Sequence, residues 1–278
     1  MGYPSPLKVA TRKLNEDVVI SSCPFSVLNL FHLGARMACI NSNGKIVIWS
    51  PLPYGPHVIE ALQLLTGKTS SDPRDYDVTH IVVANLQHDV GVRSVQPQFP
   101  QSKVIAAHTL NYNPLDYKLT KELGNKPVKL QDIAAANGDT ISGYENLDFI
   151  YLSKHQNREL VVYENKHKIL FESDLLITVG DRGLGTLEQY SEATGFPKGY
   201  NPHTGRAVFG NFLYPQGWIS QWLQRRLNGF KFPEGIEGCR AILLWDIETI
   251  VPSHGNLVER NCGEVLRQVF GFGREEKN

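Results

Sequence analysis

Residues 241–255 read AILLWDIETIVPSHG, a run of apolar and β-branched residues that stops at Pro252 and gives way to Ser253, His254 and Gly255. Such a run predicts a buried strand. Proline cannot donate to a sheet ladder and glycine permits a sharp turn. The His254 imidazole is therefore expected to project from a fixed base just past the strand's carboxyl end. Layered α/β sheets place their ligand groups along that edge. A histidine there is equally an ordinary loop residue, so the rest of the chain decides what His254 is for.

The same pattern, an apolar run followed by a polar group, occurs three more times. Val78 to Ala84 (VTHIVVA) is almost continuously apolar, as a strand covered on both faces should be, and runs into Asn85-Leu86-Gln87-His88-Asp89. Asp148 to Ser153 leads to His155, and Lys168 to Glu172 leads to Asp174. Asp89, His155, Asp174 and His254 are thus candidates for one metal or acid–base site at one rim of the sheet layers. Each alone could be a turn residue; their equivalent placement is the signal. His80 lies too early, inside its strand, to be a ligand.

Around these pieces the chain predicts further strands at Asp17–Ser22, Lys103–Ala107 and Leu160–Glu164. A hairpin of Ala35–Asn41 and Lys45–Ser50 turns about Asn43-Gly44. Helical spacing marks His57–Thr66, a short piece at Gly91–Phe99, Trp218–Leu227 and Asn261–Phe270. Leu110–Leu130 is read as loop or helix. Trp218 and Trp222, one turn apart, are expected to be core or lid contacts. The whole, 1–278, reads as a single α/β domain of two sheets packed face to face with helices outside, carrying an irregular and helical insertion over about 178–240.

Lys plus Arg and Asp plus Glu both number 28. No basic stripe is evident, so nucleic acid is not an expected partner, and Arg225-Arg226 reads as a solvated helix face. Cys23, Cys39, Cys239 and Cys262 lie far apart, which points to a reducing compartment, cytoplasmic or nuclear. No run approaches a membrane span, so no membrane partner is expected; a small-molecule substrate is. The chain lacks Gly-x-Ser-x-Gly, and Gly180–Gly185 (GDRGLG) lacks the Lys-Ser/Thr of a P-loop, so it reads as a flexible loop beside the cleft.

Three of these pieces together resemble the metallo-β-lactamase-like fold, a four-layer αββα sandwich. LFESDLL is similar to that family's Leu-Phe-x-Gly-Asp-x-Leu, IVPSHG to its closing Pro-x-His-Gly, and the buried strand running to Asp89 to the start of its first motif. The order holds over roughly Asp17 to Phe270. The family's first motif, His-x-His-x-Asp-His, places Asn85 and Gln87 at its two leading histidines and Val90 at its last, with His88 between ligand positions and able to substitute if the loop shifts. The resemblance implies a divergent hydrolase with one divalent metal (zinc, iron or manganese) drawn from Asp89, His155, Asp174 and His254. Asn85, Gln87 and His88 are additional candidates, and Asp89 would position the water. Its alternative is a metal-free, catalytically silent binding or scaffold protein, in which the same residues form a hydrogen-bonded cluster.

Overall fold

The computed structural model describes residues 2–28, 30–180 and 187–273. The chain begins with β1 (Ala10–Lys13) and β2 (Val18–Cys23), makes a small ribbon of β3 (Ser26–Val27) and β4 (Phe31–His32), and returns through β5 (Ala35–Ser42) and β6 (Lys45–Trp49). Helix α1 (Pro56–Thr66), β7 (Val78–Val82), α2 (Val92–Val95), β8 (Lys103–Ala107) and β9 (Tyr117–Leu119) complete the first half. The second half is β10 (Val128–Lys129), α3 (Leu130–Ala136), β11 (Leu147–Leu152), β12 (Glu159–Glu164), β13 (Ile169–Glu172), α4 (Trp218–Leu227), α5 (Pro233–Ile242), β14 (Thr249–Pro252) and α6 (Cys262–Phe270). One seven-stranded sheet runs β1-β2-β5-β6-β7-β8-β9, and one five-stranded sheet runs β10-β11-β12-β13-β14. β14 lies parallel to β13, with Glu172 opposite Pro252. That register brings the turns after both strands, and so Asp174 and His254, to one edge.

Strand alternation builds the layers. Val18, Ile20, Ala38, Ile40, Val47 and Trp49 face the second sheet, which answers with Phe149, Tyr151, Leu160, Val162, Phe171 and Val251. The Trp49 and Phe171 ring centres stand 5.5 Å apart across this interior. The intervening residues Val19, Met37, Cys39, Ile46 and Ile48 point outward and are covered by Val58, Ala61 and Leu62 of α1. On the far side Ile150, Leu152, Val161 and Leu170 are covered by α5 and α6 through Ile242, Leu266 and Val269. Each fully buried aliphatic or aromatic side chain contributes about 1.5–3 kcal/mol, so both faces of both sheets are stabilised. This is the expected αββα sandwich.

Some sequence expectations change. The apolar run from Ala241 is not one strand: Ala241 and Ile242 end α5, Leu243 to Trp245 continue as turns, and only Thr249–Pro252 joins the sheet. An apolar run carries no period that separates helix from strand. Leu110–Leu130 contains β9 and β10 rather than one loop or helix. Trp218 and Trp222 are 78% and 60% exposed, so they are not core contacts. Of the stretch GDRGLG, residues 181–185 lie outside the described residues. Among the described residues, no helix is long and apolar enough to cross a membrane.

Candidate metal centre

Three side chains from three strand ends converge. His88 comes from the turn after β7, Asp174 from the turn after β13, and His254 from the turn after β14. A ligand atom of each lies within 4.8 Å of the other two. His88 Nε2 and His254 Nε2 face each other at 3.2 Å, and Asp174 Oδ1 is 3.6 Å from His254 Nε2. Two imidazole nitrogens bound to one tetrahedral ion at about 2.0–2.1 Å stand about 3.3 Å apart, so the trio has the spacing of an open three-ligand site.

Each candidate ligand is oriented from behind, as metal-binding groups usually are. His254 Nδ1 is 2.6 Å from the Gly34 carbonyl, which accepts only, so this nitrogen donates and Nε2 is the one turned to the cleft. His88 Nδ1 is 3.1 Å from Ser50 Oγ, and its Nε2 is 2.7 Å from Ser173 Oγ. Asp174 Oδ2 accepts from the side-chain amides of Asn85 (2.8 Å) and Asn157 (2.7 Å), leaving Oδ1 toward His254. The Asn85 amide also donates to Glu159 Oε2 at 2.8 Å, so it separates two carboxyl groups.

The electrostatics favour a ligand-ready state. Burial, with His254 adding, pushes His88 down to about 4, so the imidazole is neutral near pH 7. Burial works to raise the Asp174 carboxyl, but His88, His254 and His155 more than offset it and hold it below the usual carboxylate value. Glu159, buried beside Asp174 and Glu172, is pushed well above the usual range. Burial likewise raises Glu172 to about 8. A neutral His88 imidazole and an ionised Asp174 carboxylate are protonation states that suit a divalent cation.

Asp174 and His254 meet, as the strand ends predicted. His155 reaches Asp174 only through its backbone: Nε2 is 3.4 Å from the Asp174 carbonyl, and Nδ1 accepts from the Asn157 N–H at 3.1 Å, so both ring nitrogens are engaged inside the protein. Asp89 does not join the trio. Its carboxylate pairs with Arg93, one helical turn on, at 2.5 Å. Asn85 is a hydrogen-bond donor to the cluster and Gln87 is exposed at the cavity wall. His88 takes the inward position because Asn85 Oδ1 accepts from the Gln87 backbone N–H at 2.8 Å, a local turn that swings the next side chain toward the cleft. Asn85 two residues before Gln87 was the available signal for that turn; nothing in the sequence pointed to Ser50, Gly34 or Asn157.

A cavity of about 350 Å³ opens on His88, Asp174 and His254, with Tyr3, Phe25, Leu33 and Val90 among its walls. The other three-ligand grouping among the described residues, Glu16, Asp17 and His167, sits at the surface beside Lys166.

No sequence-family model matches the chain, and no curated protein sequence matches it. Solved structures do. The DIM-1 metallo-β-lactamase is 16% identical with a TM-score of 0.54, the match covering 98% of this chain and 97% of that one. A metallo-β-lactamase from Hirschia baltica gives 14% and 0.53 over 95% and 97%. A variant of the flavo di-iron protein of Thermotoga maritima gives 15% and 0.59 over 95% of this chain and 61% of its own. The chain has the metallo-β-lactamase-like fold.

Proposed function

We propose that this chain is a metal-dependent hydrolase with a single divalent ion held by His88, Asp174 and His254. The observation that carries this is the meeting of the His88 and His254 Nε2 atoms at 3.2 Å beside the Asp174 carboxylate, at the wall of a cavity with apolar sides. When bound, the ion would lower the pKa of a water and polarise a carbonyl or phosphoryl oxygen of a small-molecule substrate. The Gly34 carbonyl and Ser50 fix the two rings, and Asn85 with Asn157 aim the Asp174 oxygen. Tyr3, Phe25, Leu33 and Val90 give the cavity an apolar wall against which a substrate would pack. Two histidines and a carboxylate suit zinc, iron or manganese. The four cysteines are free and buried, which supports a reducing, cytosolic or nuclear setting.

A second reading keeps the fold without the ion. If Ser50 donates to His88 Nδ1, then His88 Nε2–H donates to His254 Nε2, and one proton closes the cluster of a silent binding protein. Elemental analysis of protein purified without chelator separates the two. The hydrolase reading expects about one ion per chain, lost in His88→Ala, Asp174→Ala and His254→Ala. Metal-free parent protein that stays metal-free when zinc, iron or manganese is supplied would sink it.

A further inference from the structure

α4 is built inside out. Its fully buried side chains are polar: Gln224 accepts from the Ile177 backbone N–H at 3.0 Å and donates to Ser220 at 2.6 Å. Its exposed side chains are large and apolar, Trp218 at 78%, Ile219 at 42% and Trp222 at 60%. Trp218, Trp222 and Arg226 follow one another at i, i+4 spacing and therefore share one stripe. Just upstream, the short 3-10 helix Gly205–Phe212 also exposes Val208, Phe209 and Phe212. A soluble helix normally turns its apolar face inward.

Beside this stripe lies a groove of about 780 Å³ that does not touch His88 or His254; among the described residues its lining includes Lys154, Arg158, Trp222, Arg225, Arg226 and Lys231 and no carboxylate. The chain as a whole carries equal numbers of cations and anions, so this segregation is local. Arg158 donates to the Ser153 carbonyl, and Arg225 to the carbonyls of Val269 and Gln268, which fix the guanidinium groups without cancelling their charge. At the rim Glu234 pairs with Lys154 at 3.4 Å.

We propose that α4 and this groove dock the protein on an anionic phospholipid surface. Trp218, Ile219 and Trp222 enter the headgroup–acyl boundary, and Arg226, Lys231 and their neighbours meet the lipid phosphates. Charge complementarity selects this occupant. A second copy in a two-fold contact would set Arg226 and Lys231 against like charges. A nucleic-acid strand needs open aromatic faces for stacking. Here Arg226 sits 5.7 Å over the Trp222 ring, and Lys154 and Lys231 sit 5.0 and 4.9 Å over Phe232. Exposed Ile219 and Val208 offer a base nothing, whereas acyl chains accept them. Peripheral docking needs no spanning helix.

The test is flotation of the full chain with phosphatidylcholine vesicles, with and without phosphatidylglycerol. The expected result is co-flotation only with the anionic vesicles, weakened by salt, and a blue shift of tryptophan emission on binding. Trp218→Ser with Trp222→Ser should cut partitioning at least about tenfold, and Arg226→Glu with Lys231→Glu should abolish the dependence on phosphatidylglycerol. These side chains are exposed, so equal thermal midpoints verify that the variants fold. Absence of flotation overturns the proposal, as does flotation undiminished in the tryptophan variant. So does a concentration-dependent dimer that the tryptophan variant loses, or displacement of the protein from vesicles by a single-stranded oligonucleotide.

Discussion

Asp174 divides its two oxygens: Oδ2 is held by the amides of Asn85 and Asn157, and Oδ1 is left for the cleft. Removing one amide should loosen the ligand without deleting it. Asn157→Ala is therefore expected to weaken metal affinity by about 10- to 100-fold, read by competition with a chromophoric chelator, while unchanged affinity would deny the amide that role. A histidine outside the cleft shares in the response to acid with His57, His88 and His155, which burial likewise pushes down to about 4. His80 is packed between Tyr117 and Tyr144, and burial pushes it down to about 4. The unfolded chain takes up this proton near pH 6.5, before the folded one does. The stabilisation is complete above about pH 6.5 and is lost as pH falls toward about 4, by at most about 1.4 kcal/mol per unit. His80→Phe should flatten the urea midpoint across that window relative to the parent. An identical pH slope in the two proteins would show that His80 does not contribute.

The turn after β14 decides where His254 stands. Gly255 has φ +88°, and a Cβ there would lie 2.4 Å from the Thr178 carbonyl oxygen. The Thr178 hydroxyl in turn donates to the carbonyls of His254 and Asn256. Gly255→Ala is expected to cost about 1–3 kcal/mol in denaturant unfolding and to lower bound metal together with it. A stable variant with full metal would mean the turn is more forgiving than its contacts indicate. Much of this was legible beforehand. VTHIVVA declares itself by its nearly unbroken apolar run, the hairpin by alternation about Asn43-Gly44, and Pro252 before Ser-His-Gly marked a strand end. α5 was hidden because Gly235 and Gly238 depress helix propensity. They are there for close packing, since a Cβ at Gly238 would meet Leu152 at 2.5 Å and one at Gly235 the Gly229 carbonyl at 2.4 Å. The divergence between His88 and Asp89 was illegible for a related reason. It depends on Asn85 closing a turn and on Arg93 drawing Asp89 outward, both three-dimensional outcomes of a five-residue loop.

At the scale of the molecule, the two sheets must hold a fixed offset for ligands from both to meet, and Arg36 fastens that rim. It rises from β5 of the first sheet, is fully buried, and donates through Nη1 to the Pro252 carbonyl of the second sheet at 2.5 Å. Its Nε donates to Ser22 Oγ at 2.9 Å, and its Nη2 lies 3.2 Å from Glu188, which also pairs with Arg12. Arg36→Met would leave the Glu188 carboxylate half-buried with one cation fewer and strip the Pro252 carbonyl of its donor. Breaking one side of a buried pair costs about 3–5 kcal/mol, a large share of the stability of an ordinary domain. The expected outcome is an unfolding free energy, measured in urea, lowered by that amount. Adding Glu188→Gln should recover part of the loss, because the stranded charge goes with it. The Pro252 carbonyl stays unpaired in the double variant, so recovery should be incomplete and metal binding by His254, two residues on, should remain impaired. If Arg36→Met instead costs under about 1 kcal/mol, the sheets are held by their apolar interior alone and the guanidinium is incidental to where the ligands meet.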